Sequence, residues 1–420
     1  MTEQHVNNLV DHLFRHEAGK MAAVLTRLLG FHALDDSEDI VQDTLLQAMS
    51  TWKIKGIPEN PSAWLYTVAK RKAIDTIRRR KIHEQHHSEI NLALKSEWTL
   101  GPTVNSLFLA NEIEDSQLRM IYACCHPSIP FESQIALTLK TLCGLSIAEI
   151  ANCFLTNEET ITKRLYRARE KIRIENITLE VPVSAHLPQR LDAVLHSLYL
   201  LFNEGYNSSH PDKLIRDDLC EEAMRLCLLL VNHHLTSAPK TKALMALMCF
   251  QASRSDARLR PDGSVILLKD QDRSRWIRPL IEKGKVYLES AAEGDTISEY
   301  HIEAAIAGSH ARAATFADTD WNQILQLYTV LAQIKPGPIV ELNMAIAAGY
   351  AISPRAGLQA LHKIESLQDH YLYHTALGDF YAELGHTEQA GISYHRAMTL
   401  TQSKAEKNLL QTKLTNMTKH

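Results

Sequence analysis

Residues 155–173 read LTNEETITKRLYRAREKIR, and the fold turns on how this stretch is read. Ile161, Leu165, Ala168 and Ile172 recur at helical spacing and form one apolar stripe, which predicts an amphipathic helix with one face in a core. Thr156 and Glu159 stand at the T-x-x-E spacing of a capping box, so the helix is expected to start just after Thr156. Six basic side chains follow: Lys163, Arg164, Arg167, Arg169, Lys171 and Arg173. Arg164, Arg167 and Lys171 share a face that points away from the apolar stripe. Like charges three or four residues apart repel by a few tenths of a kcal/mol per pair, so the face gains from an anionic neighbour and not from itself. A solvated basic face is the alternative, and the preceding residues weigh against it.

Those residues, LSIAEIANCF (145–154), carry Ser146 and Glu149 at capping-box spacing, with Ile147, Ile150 and Ala151 turned inward. A turn around Phe154–Asn157 joins the two short helices, and Gly144 is a plausible stop for the helix before them. The pattern is a helix-turn-helix, whose second helix enters the major groove with its N-terminal residues toward base edges. Glu158, Glu159, Thr160, Thr162 and Lys163 are then nearest the bases. Arg164, Arg167 and Lys171 reach phosphates, which sets register without reading sequence.

A chain of 420 residues is too long for one ordinary core. A hydrophobic content of 45% with only 6% aromatic residues, and few Gly or Pro, predicts an all-α protein. No stretch approaches 18 consecutive apolar residues and no charged-then-apolar leader opens the chain, so a cytoplasmic protein without a membrane partner is expected. The seven cysteines include no C-x-x-C pair. Cys124 and Cys125 are adjacent and on a helix point about 100° apart, so they read as core thiols and not metal ligands. HEQHH (83–87) reads as solvated histidines in a linker. No metal and no cofactor is expected, and the absence of a G-x-S-x-G or Walker-type loop argues against an enzyme.

The net charge of −4 conceals a segregation. ALDDSEDIVQDTLLQA (33–48) has five acidic residues and no basic one, whereas residues 51–81 have nine basic and two acidic. Neighbouring blocks of opposite sign imply two partners, one basic and one polyanionic. Helices are expected at Val6–Leu29, Ser37–Thr51 and Pro61–Arg79, making a compact unit over residues 5–82. Residues 83–105 read as a linker, 106–176 as the helix-turn-helix unit, and 185–420 as a larger helical extension. Near its end HTALGDFYAELGHTEQAGISYHRAMTL (374–400) places Leu377, Gly378, Tyr381, Ala390, Tyr394 and Ala397 at tetratricopeptide-repeat spacing. Arg355–Ile364 aligns with Gln389–Met398 on a shift of 34 residues, so repeat-like hairpins are expected near 340–400, an architecture that commonly binds partners.

SEDIVQDTLLQAMSTW (37–52), PSAWLYTVAKRKAIDTIRRRK (61–81) and LSIAEIANCFLTNEETITKRLYRAREKIR (145–173) resemble, in order and spacing, the bacterial RNA polymerase sigma factors of the extracytoplasmic-function group. The resemblance covers about residues 5–176 and divides them into two small helical domains: sigma region 2, and region 4 with its helix-turn-helix. It implies that Asp39, Gln42 and Asp43 dock on the clamp helices of the polymerase largest subunit, with Ile40 and Leu45 turned inward. It implies that KIKGIPENP (53–61) captures a flipped base of the −10 element, with Lys53, Lys55 and Asn60 as candidates. Trp64 and Tyr66 are candidates for stacking, one of them belonging to the core instead. Lys70, Arg71, Lys72, Arg78, Arg79 and Arg80 are expected to hold promoter phosphates, with Asp75 organising Arg71 and Arg79 as ion pairs. Region 4 is expected to read the −35 element and touch the flap of the second polymerase subunit.

Residues 185–420 look like the extension of a long subgroup, marked by LYLLFNEGY (198–206) and DGSVILLKDQDRSRW (262–276). Its motif residues are Asn203, Glu204, Tyr206, Asp262, Gly263, Gln271, Asp272, Arg273 and Trp276. Three roles fit: an intramolecular regulator packed on the sigma part, a binder of a regulatory protein through the repeats, or a part that senses or converts a small molecule. A β-turn at Pro261-Asp262-Gly263, a helix capped by Asp270 or Asp272, and Arg273 and Trp276 packed between helices explain the second motif structurally. A rival for the whole chain is a helix-turn-helix repressor with a helical sensor domain, which leaves the acidic block and the first basic unit without a role.

Overall fold

The computed structural model describes residues 3–83, 97–154, 156–180, 187–208, 214–260, 263–294, 296–401 and 403–417. Among them the chain is helical throughout, and its one β feature is an isolated antiparallel bridge between Leu259 and Val265. Two compact units emerge, one of residues 1–204 and 221–236, the other of residues 205–220 and 237–420.

The first unit opens with α1 (Glu3–Leu29), α2 (Leu34–Lys55) and α3 (Pro61–His83). All three expected helices are present, each longer than the sequence pattern suggests. Met21, Val24 and Leu25 of α1, Trp52 of α2, and Leu65, Ala69 and Ala73 of α3 are all buried, and the three helices pack on one another. The expected linker is helical at its end: α4 (Glu97–Leu107) begins inside residues 83–105 and runs past Ser106. Its apolar Leu100 and Val104 are buried, which outweighs the Gly and Pro that hid the helix in the sequence. The expected HEQHH cluster from residue 84 onward lies outside the described residues.

Then come α5 (Ala110–Cys124), α6 (Phe131–Thr141), α7 (Ile147–Cys153) and α8 (Glu158–Ile174). The capping box of Ser146 and Glu149 forms in both directions, and Gly144 stands at φ 65 just after the end of α6. The cap of α8 is one residue later than expected. Asn157, not Thr156, takes that place, its Oδ1 accepting from the Thr160 N–H at 2.8 Å. Asn ranks above Thr in this role, its side chain being unbranched at Cβ. Ile161, Leu165, Ala168 and Ile172 are all buried, as the stripe predicted.

Helix α1 also packs against α5 and the end of α6. Arg27 bridges to Glu112 at 2.9 Å and Asp115 at 3.0 Å, and Arg15 donates to the Gly144 carbonyl at 3.2 Å. The unit is completed by α9 (Leu187–Tyr206) up to Glu204 and by the part of α10 (Asp217–Asn232) from Glu221 onward.

The second unit holds α11 (Pro239–Ala252), α12 (Arg278–Ala291), α13 (Glu299–Arg312), α14 (Trp321–Ile334), α15 (Pro338–Ala351), α16 (Pro354–Leu361), α17 (Tyr371–Glu383), α18 (Thr387–Leu400) and α19 (Lys404–Met417). From α13 on, each helix packs on the next in sequence, the arrangement of stacked hairpins. Phe380 of α17 fills a core with Leu342, Ala345, Leu358 and Leu361, and Ala390, Tyr394 and Ala397 form another with Leu410. None of the seven cysteines is in a disulfide and six are buried, which fits core thiols; burial pushes Cys125 up to about 12.

Gly19 marks how closely the α1 backbone approaches its neighbour: a Cβ there would stand 2.1 Å from the Leu142 carbonyl oxygen. In a freestanding helix Gly→Ala stabilises by about 1 kcal/mol. Here overpacking against a backbone atom costs about 1–3 kcal/mol. Gly19→Ala should therefore lower the thermal unfolding midpoint of the full chain, and a rise instead would separate α1 from α6.

Candidate functional site

Helix α8 presents Glu158, Glu159, Thr162, Lys163 and Arg167 to solvent, with Thr160 half-buried. Lys163 is paired within the helix to Glu159 at 2.6 Å, and Lys171 to Glu175 at 2.6 Å. Arg164 is drawn back instead: it lies 5.0 Å over the Phe154 ring and bonds Glu132 of α6. Among the described residues Arg167 has no ion-pair partner, so its guanidinium is the one on this face that stays available. Tyr166, 64% exposed beside Lys163 and Arg167, belongs to the same surface and was not singled out from the sequence. Its signal was there, an aromatic residue off the apolar stripe.

Helix α2 separates its residues cleanly. Ile40, Val41, Thr44, Ala48 and Trp52 are buried, and Leu45 is half-buried. Asp39, Gln42 and Asp43 are exposed on the opposite side. Leu46 and Met49, 62% and 56% exposed, continue that face one and two turns further on. The sequence reading passed over both, although their i+7 and i+10 spacing from Asp39 marks them.

After α2, Lys53 and Lys55 are exposed at its end. Asn60 is the N-cap of α3, its Oδ1 accepting from the Ala63 N–H at 3.0 Å. Trp64 packs edge-on against Trp52, with ring centroids 5.5 Å apart. Tyr66 is half-buried like Trp64: its hydroxyl bonds the buried Glu17 and its ring lies 5.4 Å from Phe108. Lys70 sits 5.2 Å over the same Phe108 ring, and burial lowers its ammonium below the ordinary lysine range. Arg71, Arg78 and Arg79 are exposed, while Lys72 is paired with Asp43 at 3.3 Å. The side chain of Arg80 lies outside the described residues. Asp75 does not organise Arg71 and Arg79 as expected: Arg79 Nε donates to the Asp75 backbone carbonyl at 3.4 Å, and the Asp75 carboxylate stays exposed. Exposed i,i+4 pairs gain too little, about 0.3–0.5 kcal/mol, to fix a geometry.

The acidic start of α2 meets the basic end of α8. Arg169 bonds Glu38 at 2.8 Å and reaches Asp35 at 3.2 Å, and Arg173 also bonds Asp35. Burial raises the Glu38 carboxyl above its ordinary value even though Arg169 pulls the other way. The two basic residues of α8 outside the expected DNA set are thus spent on a contact inside the unit.

Residues 13–82 match sigma-70 region 2, residues 119–172 match sigma-70 region 4, and residues 190–292 match a family of unknown function, DUF6596. The chain is 33% identical over 393 residues to the uncharacterized protein R00370 of Rhizobium meliloti (strain 1021), covering 92% of this chain and 91% of that one. The RNA polymerase sigma factor SigV of Bacillus subtilis (strain 168) is 27% identical over 141 residues, 34% of this chain and 76% of its own. The extracytoplasmic-function (ECF) RNA polymerase sigma factor SigW of the same organism is 26% identical over 163 residues, 37% and 81% of the two chains. No solved structure matches significantly. The chain belongs to the sigma factors of the extracytoplasmic-function type.

In this sigma factor the extension enters the first unit. Glu222 of α10, 2% exposed at its side chain, receives Arg225 through both oxygens at 2.6 and 2.9 Å and is 2.9 Å from His16 Nδ1 on α1. Arg225 also donates to Gln117 of α5 at 3.1 Å, and Arg190 of α9 donates to the Tyr122 carbonyl at 3.1 Å. Of the extension motif residues, Asn203 is half-buried and Glu204 buried, both in the first unit. In the second unit Gln271, Arg273 and Trp276 are buried, Tyr206 is half-buried, and Asp272 is exposed and caps a 3-10 turn through Ser274. Gly263, at φ 81, donates to the Arg260 carbonyl at 2.9 Å, while Pro261 and Asp262 lie outside the described residues. Among the described residues no His, Cys, Asp and Glu group has a metal site's arrangement, and no helix is long and apolar enough to cross a membrane.

Burial alone raises a carboxyl, yet the bonds from Arg225 and His16 hold Glu222 below its ordinary value. A depressed folded-state pKa contributes stability that is present above the unfolded value near 4.3 and lost as pH falls through the folded one. Glu222→Gln should cost about 3 kcal/mol at pH 7, since it leaves the half-buried Arg225 without its counter-ion. In denaturant melts the gap to the natural chain should close as the pH drops below about 4.

Proposed function

We propose that this sigma factor binds core RNA polymerase through the outer face of α2, reads a promoter at two places, and is regulated by its own extension. The observation that carries the reading is the exposed face of α2. Asp39, Gln42 and Asp43 share it with Leu46 and Met49, while the inner face is buried. A merely solubilising acidic face has no use for two large exposed apolar side chains. A basic helical partner with apolar ridges, such as the clamp helices of the polymerase largest subunit, fits both.

Lys53, Lys55, Trp64, Arg71, Arg78 and Arg79 then line the −10 contact, with Asn60 shaping the loop as the α3 cap. Lys70, Lys72 and Arg80 complete the set expected there. The exposed residues of α8, Glu158, Glu159, Thr162, Lys163 and Arg167, with Thr160, Arg164 and Lys171 beside them, face the −35 element, and region 4 touches the flap of the second polymerase subunit. The bonds from Glu222, Arg225 and Arg190 to α1 and α5 support the extension as an intramolecular regulator. A regulatory protein bound by the stacked hairpins is a further partner consistent with their architecture. The repressor reading leaves region 2 without a task.

Asp39→Arg should weaken capture of purified core polymerase by at least tenfold without changing the far-UV spectrum or the melting temperature; undiminished capture would remove α2 from the polymerase contact. With the assembled holoenzyme, Arg167→Glu should weaken promoter binding about equally across −35 sequences. It should also make the log–log salt slope shallower by about one, the signature of one lost phosphate contact.

A further inference from the structure

Three arginines of the second unit stack on two aromatic rings. Arg258 lies 3.8 Å over the Tyr206 ring, Arg254 lies 5.8 Å from both Tyr206 and Trp276, and Arg273 lies 4.9 Å over Trp276. Among the described residues none of the three guanidiniums forms an ion pair. Two of them are accounted for by helix ends. Arg258 donates to the Tyr206 carbonyl at the end of α9, and Arg273 donates to the His310 and Ala313 carbonyls, at 2.6 and 2.7 Å, at the end of α13. Arg254 has no such anchor. Its Nη2 reaches the Tyr206 hydroxyl at 2.5 Å, and its Nε has no partner.

The unsatisfied atoms gather at the same place. Among the described residues of the second unit, the buried side-chain atoms lacking a hydrogen-bond partner are Arg254 Nε, Gln271 Oε1, Trp276 Nε1 and His310 Nδ1. Three of these residues are joined by contacts: Arg254 and Arg273 both lie on the Trp276 ring, and Arg273 bonds the backbone of His310; Gln271 stands two residues before Arg273, its Nε2 donating to the Ile266 carbonyl at 3.2 Å. Burial, with Arg254 and Arg273 nearby, takes His310 down to about 3, so its ring is neutral and adds no charge of its own. Burying orphan donors costs free energy, and so does crowding cations together; water would satisfy the first deficit but not the second.

We propose that this cluster binds a small oxyanion, a carboxylate or phosphate with a hydroxyl beside it. The oxyanion takes the N–H groups of Arg254 and Trp276, and the hydroxyl donates to Gln271 Oε1. Arg258 and Arg273 supply field, and their bonds to helix ends hold the rings and Arg254 in place. The site gives the DQDRSRW stretch (270–276) a task that promoter recognition does not use, and it stands or falls independently of the polymerase assignment.

The test is isothermal titration of the full chain with sodium phosphate, glycolate and acetate, each against sodium chloride at matched ionic strength. Saturable binding of phosphate or glycolate is expected, with the tighter of the two identifying the oxyanion. Acetate, which lacks the hydroxyl, should bind about tenfold more weakly than glycolate. Trp276→Phe removes one N–H and keeps the ring, and it should weaken binding about tenfold, as should Arg254→Gln. The surface variant Arg396→Gln should bind as the natural chain does. If no probe binds saturably, or if Trp276→Phe and Arg254→Gln bind as tightly as the natural chain, the site is overturned. Should Arg254→Gln fail to fold, Trp276→Phe decides alone.

Discussion

A buried charge must be paired where it lies, and in the first unit that constraint falls on Glu222. Its carboxylate is held between Arg225 and His16, and Arg225 in turn reaches Gln117, so three helices far apart in sequence are fixed to one another by one acid. Removing a partner from such a group costs several kcal/mol, which makes the contact specific in a way that apolar packing alone is not. Around it α1 is a common partner, packing on α2 and α3 and also on α5 and the turn at Leu142.

This arrangement decides which charges remain for partners. The basic residues of α8 divide by position: those near its start face solvent, whereas Arg169 and Arg173 near its end are taken by Asp35 and Glu38 of α2. The acids of α2 divide in the same way. Asp35 and Glu38 are used within the unit, Asp43 is exposed but paired with Lys72, and Asp39 stays exposed with Gln42 beside Leu46 and Met49. Two segregated charge blocks therefore partly neutralise each other inside the protein, and only the remainder is displayed.

The extension differs in kind from the sigma regions. In its second unit the stacked hairpins are held by ordinary apolar clusters, such as Phe380 among Leu342, Leu358 and Leu361. The arginine–aromatic stack between Tyr206 and Trp276 breaks that pattern by gathering one buried and two half-buried arginines that form no ion pair among the described residues. Its presence in a segment matched by a family of unknown function gives that segment a definite physical feature.

The sequence alone determined α1 to α3, the helix-turn-helix with its Ser146 box, and the stripe of Ile161, Leu165, Ala168 and Ile172, all local or periodic properties set by spacing along one stretch of chain; the sigma-factor membership came from the resemblance of its motifs to a known family. It misplaced the cap at Thr156, hid α4 behind Gly101 and Pro102, and gave Asp75 an ion pair it does not make, because each outcome is a contest between near-equal local choices. Only the tertiary structure decided that Tyr66 bonds the buried Glu17, that Arg169 and Arg173 face α2, that Glu222 ties the extension to α1, and that Arg254, Arg258 and His310 join the motif residues Arg273 and Trp276. Such pairings join residues tens to hundreds of positions apart, and no spacing rule along the chain encodes which distant charge or ring will fill a given space.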